Sequence, residues 1–234
     1  MNQNNYPYSS YGVRATETLS RYTAKTFGWM FVGLLLTFAV SIGTLMSGLY
    51  VVLATGFVPF ILALCEIGVV IYLSARIRQL SVGAARGLFF AYAILNGITF
   101  SALLVYYSVS SLILVFGMTA IFFGVMAVYA HFTKADLSYL RPVLVGGLIT
   151  LLVLMLLSMF LNLSGFSTGI CLLGVLLFIG FTAYDTQKIR QNYFYFQGNA
   201  ELLEKASIFS ALQLYLDFIN LFLYLLRLFG RRSN

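Results

Sequence analysis

Charge is what this chain has least of. Only 9% of its 234 residues are Asp, Glu, Lys or Arg, against about 25% in an ordinary soluble domain, which excludes a water-facing globular fold. There are two cysteines, Cys65 and Cys171, both inside apolar runs. They allow neither a disulfide framework nor zinc spacing, and free, packed thiols are expected. The chain has one histidine, no Cys-x-x-Cys and no Gly-rich phosphate loop, so neither a resident metal nor a nucleotide cofactor is expected. Residues 1–26 hold no apolar stretch ending in a small-residue cleavage site, which reads as a retained polar tail rather than a signal peptide.

Apolar residues are abundant: 61% of the chain is hydrophobic, with 22 Phe, 16 Tyr and 20 Gly, and the mean hydropathy is +0.93. So much apolar surface cannot be hidden in one domain of this length, and lipid is its solvent. The few charges then count the spans. Between Lys25 and Arg76 lie 50 residues with one charge, Glu66; from Arg86 to Lys134 there are 47 with none, and from Arg141 to Asp185 there are 43 with none. Each run is twice the roughly 20 residues that cross a bilayer as a helix, and each reads as a helical hairpin. Small and polar residues break them near Ser47-Gly48, near Ser108 to Ser111 and near Asn162 to Thr168. A last run, Ala206 to Leu226, has 21 residues and one charge, Asp217. The expected fold is an all-α integral membrane protein with seven transmembrane helices, three hairpins and an unpaired C-terminal helix.

The hairpin turns carry no charge, whereas the tail and the loops between hairpins hold 11 of the 14 basic residues. By the positive-inside rule those loops and the N-terminus face the cytoplasm. Seven crossings place the C-terminus outside although it carries Arg227, Arg231 and Arg232. Either packing holds the last helix across the membrane or it re-enters; its length favours crossing. The net charge of +7 is then a topology signal and an attraction to anionic lipid. The basic residues form no continuous patch, so no nucleic-acid partner is expected. Gly43 with Ser47 and Gly83 with Gly87 have the spacing of close helix contacts, a weak signal in a glycine-rich chain.

Three carboxylates lie within or at the end of apolar spans, Glu66, Asp185 and Asp217, and such residues are functional candidates by default. Asp217 is the deepest. At helical spacing Ser207, Ser210, Gln213, Asp217, Asn220, Tyr224 and Arg227 form one polar stripe along the last span, with Leu, Ile and Phe elsewhere. Such a stripe either bonds helices together or lines a wet path. Asp185 reads as the end of the sixth span, paired to Lys188 one turn on, or close to the upper part of the stripe. Two carboxylates in contact cannot both ionise cheaply, so they would share a proton and titrate together. Ionised and open to water, they offer hard oxygens suited to Ca²⁺, too few for a closed cage and enough for transient binding during permeation. Glu66 sits mid-way along the second span. Arg76 and Arg78, at its end, either contact headgroups or pair with a carboxylate to hold a cytoplasmic gate. His131 marks an interface or titrates near neutral pH. Tyr92, Asn96 and Thr99 either continue a polar lining or bond helices.

Tyr215-Leu216-Asp217-Phe218-Ile219-Asn220-Leu221-Phe222, with Leu225-Leu226-Arg227, resembles the last-helix motif of the Bax inhibitor-1 (transmembrane Bax inhibitor motif) family. Ala183-Tyr184-Asp185-Thr186-Gln187 is similar to that family's sixth-helix motif, and Gly28-Trp29-Met30, Gly97-Ile98-Thr99 and Lys134-Ala135-Asp136-Leu137-Ser138 to further positions. The match covers roughly residues 20 to 232, in a short form that looks bacterial. The resemblance implies seven helices with the last one central, so that the domains are a polar cytoplasmic tail (1–26), a seven-helix membrane domain (27–229) and a short basic tail (230–234). It implies a pH-sensitive calcium leak in the cell membrane, with Asp185 and Asp217 as pH sensor and Arg76 or Arg78, the former preferred, as a latch. The ion path would take in Glu66, Gln213, Asn220 and Asn96. Low pH would hold the gate closed, and raising the pH would ionise the pair and open it. Lipid, Ca²⁺ and protons are the expected partners. The alternative is a non-transporting interaction protein that modulates a membrane protease or a stress and cell-death response. Hydrolysis by the paired aspartates is not expected, because Asp185 is placed at a helix end.

Overall fold

The computed structural model describes residues 17–53, 55–160 and 167–233. Its frame is seven long helices: α1 (Leu19–Met46), α2 (Val58–Arg76), α3 (Val82–Tyr106), α4 (Val109–Phe132), α5 (Leu140–Phe160), α6 (Ser167–Phe196) and α7 (Ala200–Phe229). All seven contain a stretch long and apolar enough to cross a membrane. Short helical turns at Tyr50–Leu53 and Leu137–Tyr139 complete the helical elements among the described residues.

Local chemistry sets the helix ends. Thr18, Ser81 and Asn199 cap α1, α3 and α7 by accepting from the N–H groups of Arg21, Ala84 and Leu202. Pro59 occupies the first turn of α2, where its missing N–H costs nothing. Gly48 and Gly56, with φ of +73° and +60°, turn the chain between α1 and α2 in a conformation that side chains rarely adopt. Asp136 accepts from the Ser138 N–H at 2.9 Å, and that bond holds its carboxyl below the ordinary aspartate value. The expected breaks at Ser47-Gly48 and Ser108 are present. The third, Asn162 to Thr168, lies largely outside the described residues, with α6 opening at Ser167.

Several helices run further than the charge pattern suggests, α3 and α7 by a few residues and α1 and α6 by more. α1 opens at Leu19, inside the expected tail, and α6 continues eleven residues past Asp185 to Phe196. Charge ends a hydrocarbon-compatible stretch, but Lys, Arg and Gln are good helix formers and carry the helix on. Asp185 therefore stands within α6, not at its end.

Packing centres on α7. Its most apolar stretch is 72% buried, against 6% for α2, so α7 is the core and α2 the outermost, lipid-facing helix. The chain connects as three hairpins followed by α7, but the packing partners differ: α1 lies mainly against α3 and α7, α2 leans on α3, and α4 packs on α6 and α7. Glycines permit this. A Cβ on Gly97 of α3 would lie 2.7 Å from the Thr37 carbonyl oxygen of α1, and one on Gly174 of α6 would lie 2.7 Å from the Tyr224 ring of α7. By contrast a Cβ on Gly43, Gly83 or Gly87 meets nothing within 4 Å, so the spacing noted in the sequence does not mark the close contacts. Cys171 is packed as expected, whereas Cys65 is exposed on α2; both are free.

The far end of α7 lies at the opposite end of the bundle from its start. Arg232 pairs with Tyr107 in an antiparallel bridge, the Ser108 N–H donates to the Arg231 carbonyl at 3.1 Å, and the Ser233 N–H donates to that of Tyr106 at 3.0 Å. The C-terminal residues are thus tied to the α3–α4 turn. The opposite end of α7 meets Lys25 and Arg86, near the starts of α1 and α3, so α7 runs the length of the bundle.

Candidate functional site

Asp185 of α6 and Asp217 of α7 are brought together. Their side chains are within hydrogen-bonding reach of each other, and the residues are only 6% and 4% exposed. The longest shared interface of the bundle, α6 against α7, places them there. Gln213, one turn before Asp217, donates from Nε2 to Asp185 Oδ1 at 3.3 Å. Asp217 Oδ2 has no donor in reach.

A carboxylate oxygen only accepts, so two carboxylates facing each other in a dry interior repel and leave lone pairs unsatisfied. One shared proton turns that repulsion into an O–H···O bond. The positive charge acting on Asp185 is Lys188, whose ammonium lies over the Tyr184 ring at 5.6 Å instead of forming an ion pair. Thr186 Oγ1, beside Asp185 in sequence, is also buried without a partner. The neighbourhood thus holds more oxygen acceptors than protein donors, a composition suited to a proton, a water or a passing hard cation. Among the described residues no three His, Cys, Asp or Glu side chains converge to hold a metal.

The remaining polar stripe of α7 is met by partners on several helices. Ser207 Oγ is 2.9 Å from Thr26 Oγ1 of α1, Ser210 Oγ accepts from Asn192 Nδ2 of α6 at 3.0 Å, and the Tyr224 hydroxyl points to Met155 Sδ of α5 at 3.5 Å. Asn220 donates back to the Leu216 carbonyl, and Arg227 lies over the Tyr224 ring. Ser207, Ser210 and Tyr224 thus bond α7 to its neighbours, whereas Asn220 and Arg227 turn back on α7 itself.

Other expected site residues lie elsewhere. Glu66 accepts from the Thr99 hydroxyl at 2.6 Å, and Asn96 donates to the Tyr92 carbonyl. Neither arginine is brought to the pair: Arg76 donates to the Gln79 side chain, and Arg78 offers its backbone carbonyl to Lys205 Nζ at 3.4 Å. His131 is exposed beside Phe132. The sequence objection to hydrolysis, that Asp185 ends its helix, falls away because it does not.

Two polar nodes have no counterpart in the sequence reading. Tyr215, two residues from Asp217 and on another face of α7, places its hydroxyl 2.6 Å from Thr37 Oγ1. Glu204 bridges Lys25 and Arg86, joining α7 to α1 and α3. An acid in the first turns of the last helix, among several basic loops, was the available signal for the second.

The family model described as "Inhibitor of apoptosis-promoting Bax1" matches residues 19–234. The chain is 39% identical over 230 residues to "Inner membrane protein YbhL" of Escherichia coli (strain K12), covering 97% of this chain and 98% of that protein. It is 40% identical over 221 residues to an uncharacterized protein of Deinococcus radiodurans, covering 94% of each. An uncharacterized protein of Borreliella burgdorferi is 35% identical over 217 residues, covering 92% of this chain and 94% of that one.

Proposed function

We propose that this chain, which belongs to the Bax inhibitor-1 family, is a pH-sensitive calcium leak of a bacterial inner membrane, gated by proton sharing between Asp185 and Asp217. The name of the Escherichia coli relative supports the location, and the basic loops support a cytoplasmic N-terminus. The observation that carries the reading is the burial of two carboxyls within hydrogen-bonding reach on adjacent helices.

With one proton between them the pair draws α6 to α7 and the path is shut. As the pH rises the proton leaves, two negative charges remain in a low-dielectric contact, and their repulsion favours separation and entry of water. Ca²⁺ then meets four carboxylate oxygens and the Gln213 amide oxygen in transit, a set too small for tight storage. The gate requires no arginine contact. Nor is hydrolysis proposed, since both carboxyls are buried.

Calcium flux into proteoliposomes across about pH 6 to 8 tests this. Wild-type flux is expected to rise with pH, and Asp217→Asn, whose amide hydrogen bonds to Asp185 without titrating, is expected to stay low and pH-insensitive. Flux that keeps its wild-type pH dependence in folded Asp217→Asn overturns the gate. No flux above empty liposomes at any pH overturns transport and leaves the interaction-protein reading.

A further inference from the structure

A groove of about 340 Å³ opens between the end of α2 and the α6–α7 turn, lined by Arg78, Tyr195, Phe196, Gly198, Asn199 and Leu202. That is at the lower end of ligand-site volumes, roughly 300–1,000 Å³. It lies apart from the aspartate pair, and nothing in the proposed gate uses it.

Three features define what it would take. The first is uncompensated positive charge. Among the described residues the Arg78 guanidinium has no acidic partner, whereas Glu201, in the first turn of α7, is paired to Lys205 at 2.7 Å. Lys205 Nζ sits 3.4 Å from the Arg78 carbonyl, but Glu201 meets its charge, which leaves Arg78 as the free cation of the groove.

The second feature is depth. The 19 residues of α2 rise about 28 Å at 1.5 Å each, close to the thickness of the hydrocarbon core. Arg78, two residues past its end, therefore stands at headgroup level. The third is an apolar side. Tyr195 is 74% exposed, and with Phe196 and Leu202 it offers the amphipathic surface that aromatic side chains present at a membrane boundary.

We infer that this groove binds the phosphodiester headgroup of an anionic phospholipid, with Arg78 on the phosphate and Tyr195, Phe196 and Leu202 against the glycerol and upper acyl chain. No carboxylate lines the groove to receive a choline or ethanolamine ammonium, so an anionic lipid is preferred to a zwitterionic one. A free phosphate would share the guanidinium but would gain nothing from the aromatic side.

The test is titration of phosphatidylglycerol into the full chain in detergent, read by native mass spectrometry at low protein concentration. Wild type is expected to retain one phosphatidylglycerol in preference to phosphatidylcholine. Arg78→Gln is expected to weaken that retention at least tenfold, the loss of a charge-assisted contact. Leu202→Glu, which keeps the guanidinium but sets a carboxylate in the groove, is expected to weaken it as well, while Arg21→Gln, whose side chain is 83% exposed outside the groove, leaves it unchanged. Thermal unfolding of each variant confirms the fold. Equal retention by wild type and Arg78→Gln, or an equal loss in Arg21→Gln, overturns the site. Competition by inorganic phosphate at millimolar concentration overturns the lipid assignment in favour of a soluble anion.

Discussion

Replacing Glu204 by Gln removes the one acid that joins three helices at the end of the bundle where α1, α3 and α7 begin. Glu204 Oε2 is 2.6 Å from Lys25 Nζ and Oε1 is 2.7 Å from Arg86 Nη2, with side chains 17%, 29% and 42% exposed respectively. Breaking a fully buried pair costs about 3–5 kcal/mol, whereas an exposed one contributes about 0–1 kcal/mol. This cluster lies between. Lys25 keeps Glu17 at 2.6 Å, and Arg86 is open enough to solvent to be screened, keeping its place over the Trp29 ring at 5.2 Å. The loss is about 2 kcal/mol by these bounds. For a chain of this length each kcal/mol moves Tm by about 2–4 °C, so Glu204→Gln lowers it by about 4–8 °C. Thermal unfolding in detergent at low salt reads it, and a double-mutant cycle with Arg86→Gln isolates the pair, with a coupling of about 1 kcal/mol. A Tm shift below about 1 °C, or a coupling indistinguishable from zero, refutes the clamp.

Gly97→Ala forces a Cβ to 2.7 Å from the Thr37 carbonyl oxygen and from Val40 Cβ and is expected to destabilise by about 1–3 kcal/mol. Gly43→Ala, which meets nothing within 4 Å, is expected to be neutral or stabilising by up to about 1 kcal/mol, and the two midpoints are compared in one thermal melt. Tyr215→Phe removes the 2.6 Å contact with Thr37 and is expected to cost about 1 kcal/mol while leaving the pH profile of calcium flux in place. Cysteines introduced at Gly198 and Ser110, with Cys65 and Cys171 replaced by Ala, are expected to react with an impermeant maleimide from opposite sides of the membrane, Gly198 from the cytoplasm. Labelling of both from one side contradicts the crossing of α7.

The number of helices was legible in the sequence because charge is so scarce that each of the three long charge-poor runs declares a hairpin and the last run a single span. The central place of α7 came from the family resemblance, and the polar stripe, which must face protein or water, agreed with it. Packing partners were not. Which helices approach depends on whether a given glycine faces another backbone, and Gly43 and Gly97 look alike until neighbours are in place. The extent of α6 was misread because Asp185, Lys188 and Arg190 end the uncharged run, and helical hydrogen bonding does not end with it. Asp185 and Asp217 were legible as isolated acids in apolar surroundings. The Glu204 bridge was hidden because its partners, Lys25 and Arg86, are far away in sequence and look like topology signals.

Infrared spectroscopy of the wild type in proteoliposomes, titrated over the pH interval used for flux, tests proton sharing most directly. One protonated carboxyl band, absent from Asp217→Asn, is expected to fade over the same interval in which calcium flux rises. A flux that rises while that band stays constant, or a wild type with no such band where the flux is low, contradicts a gate held shut by a proton between Asp185 and Asp217.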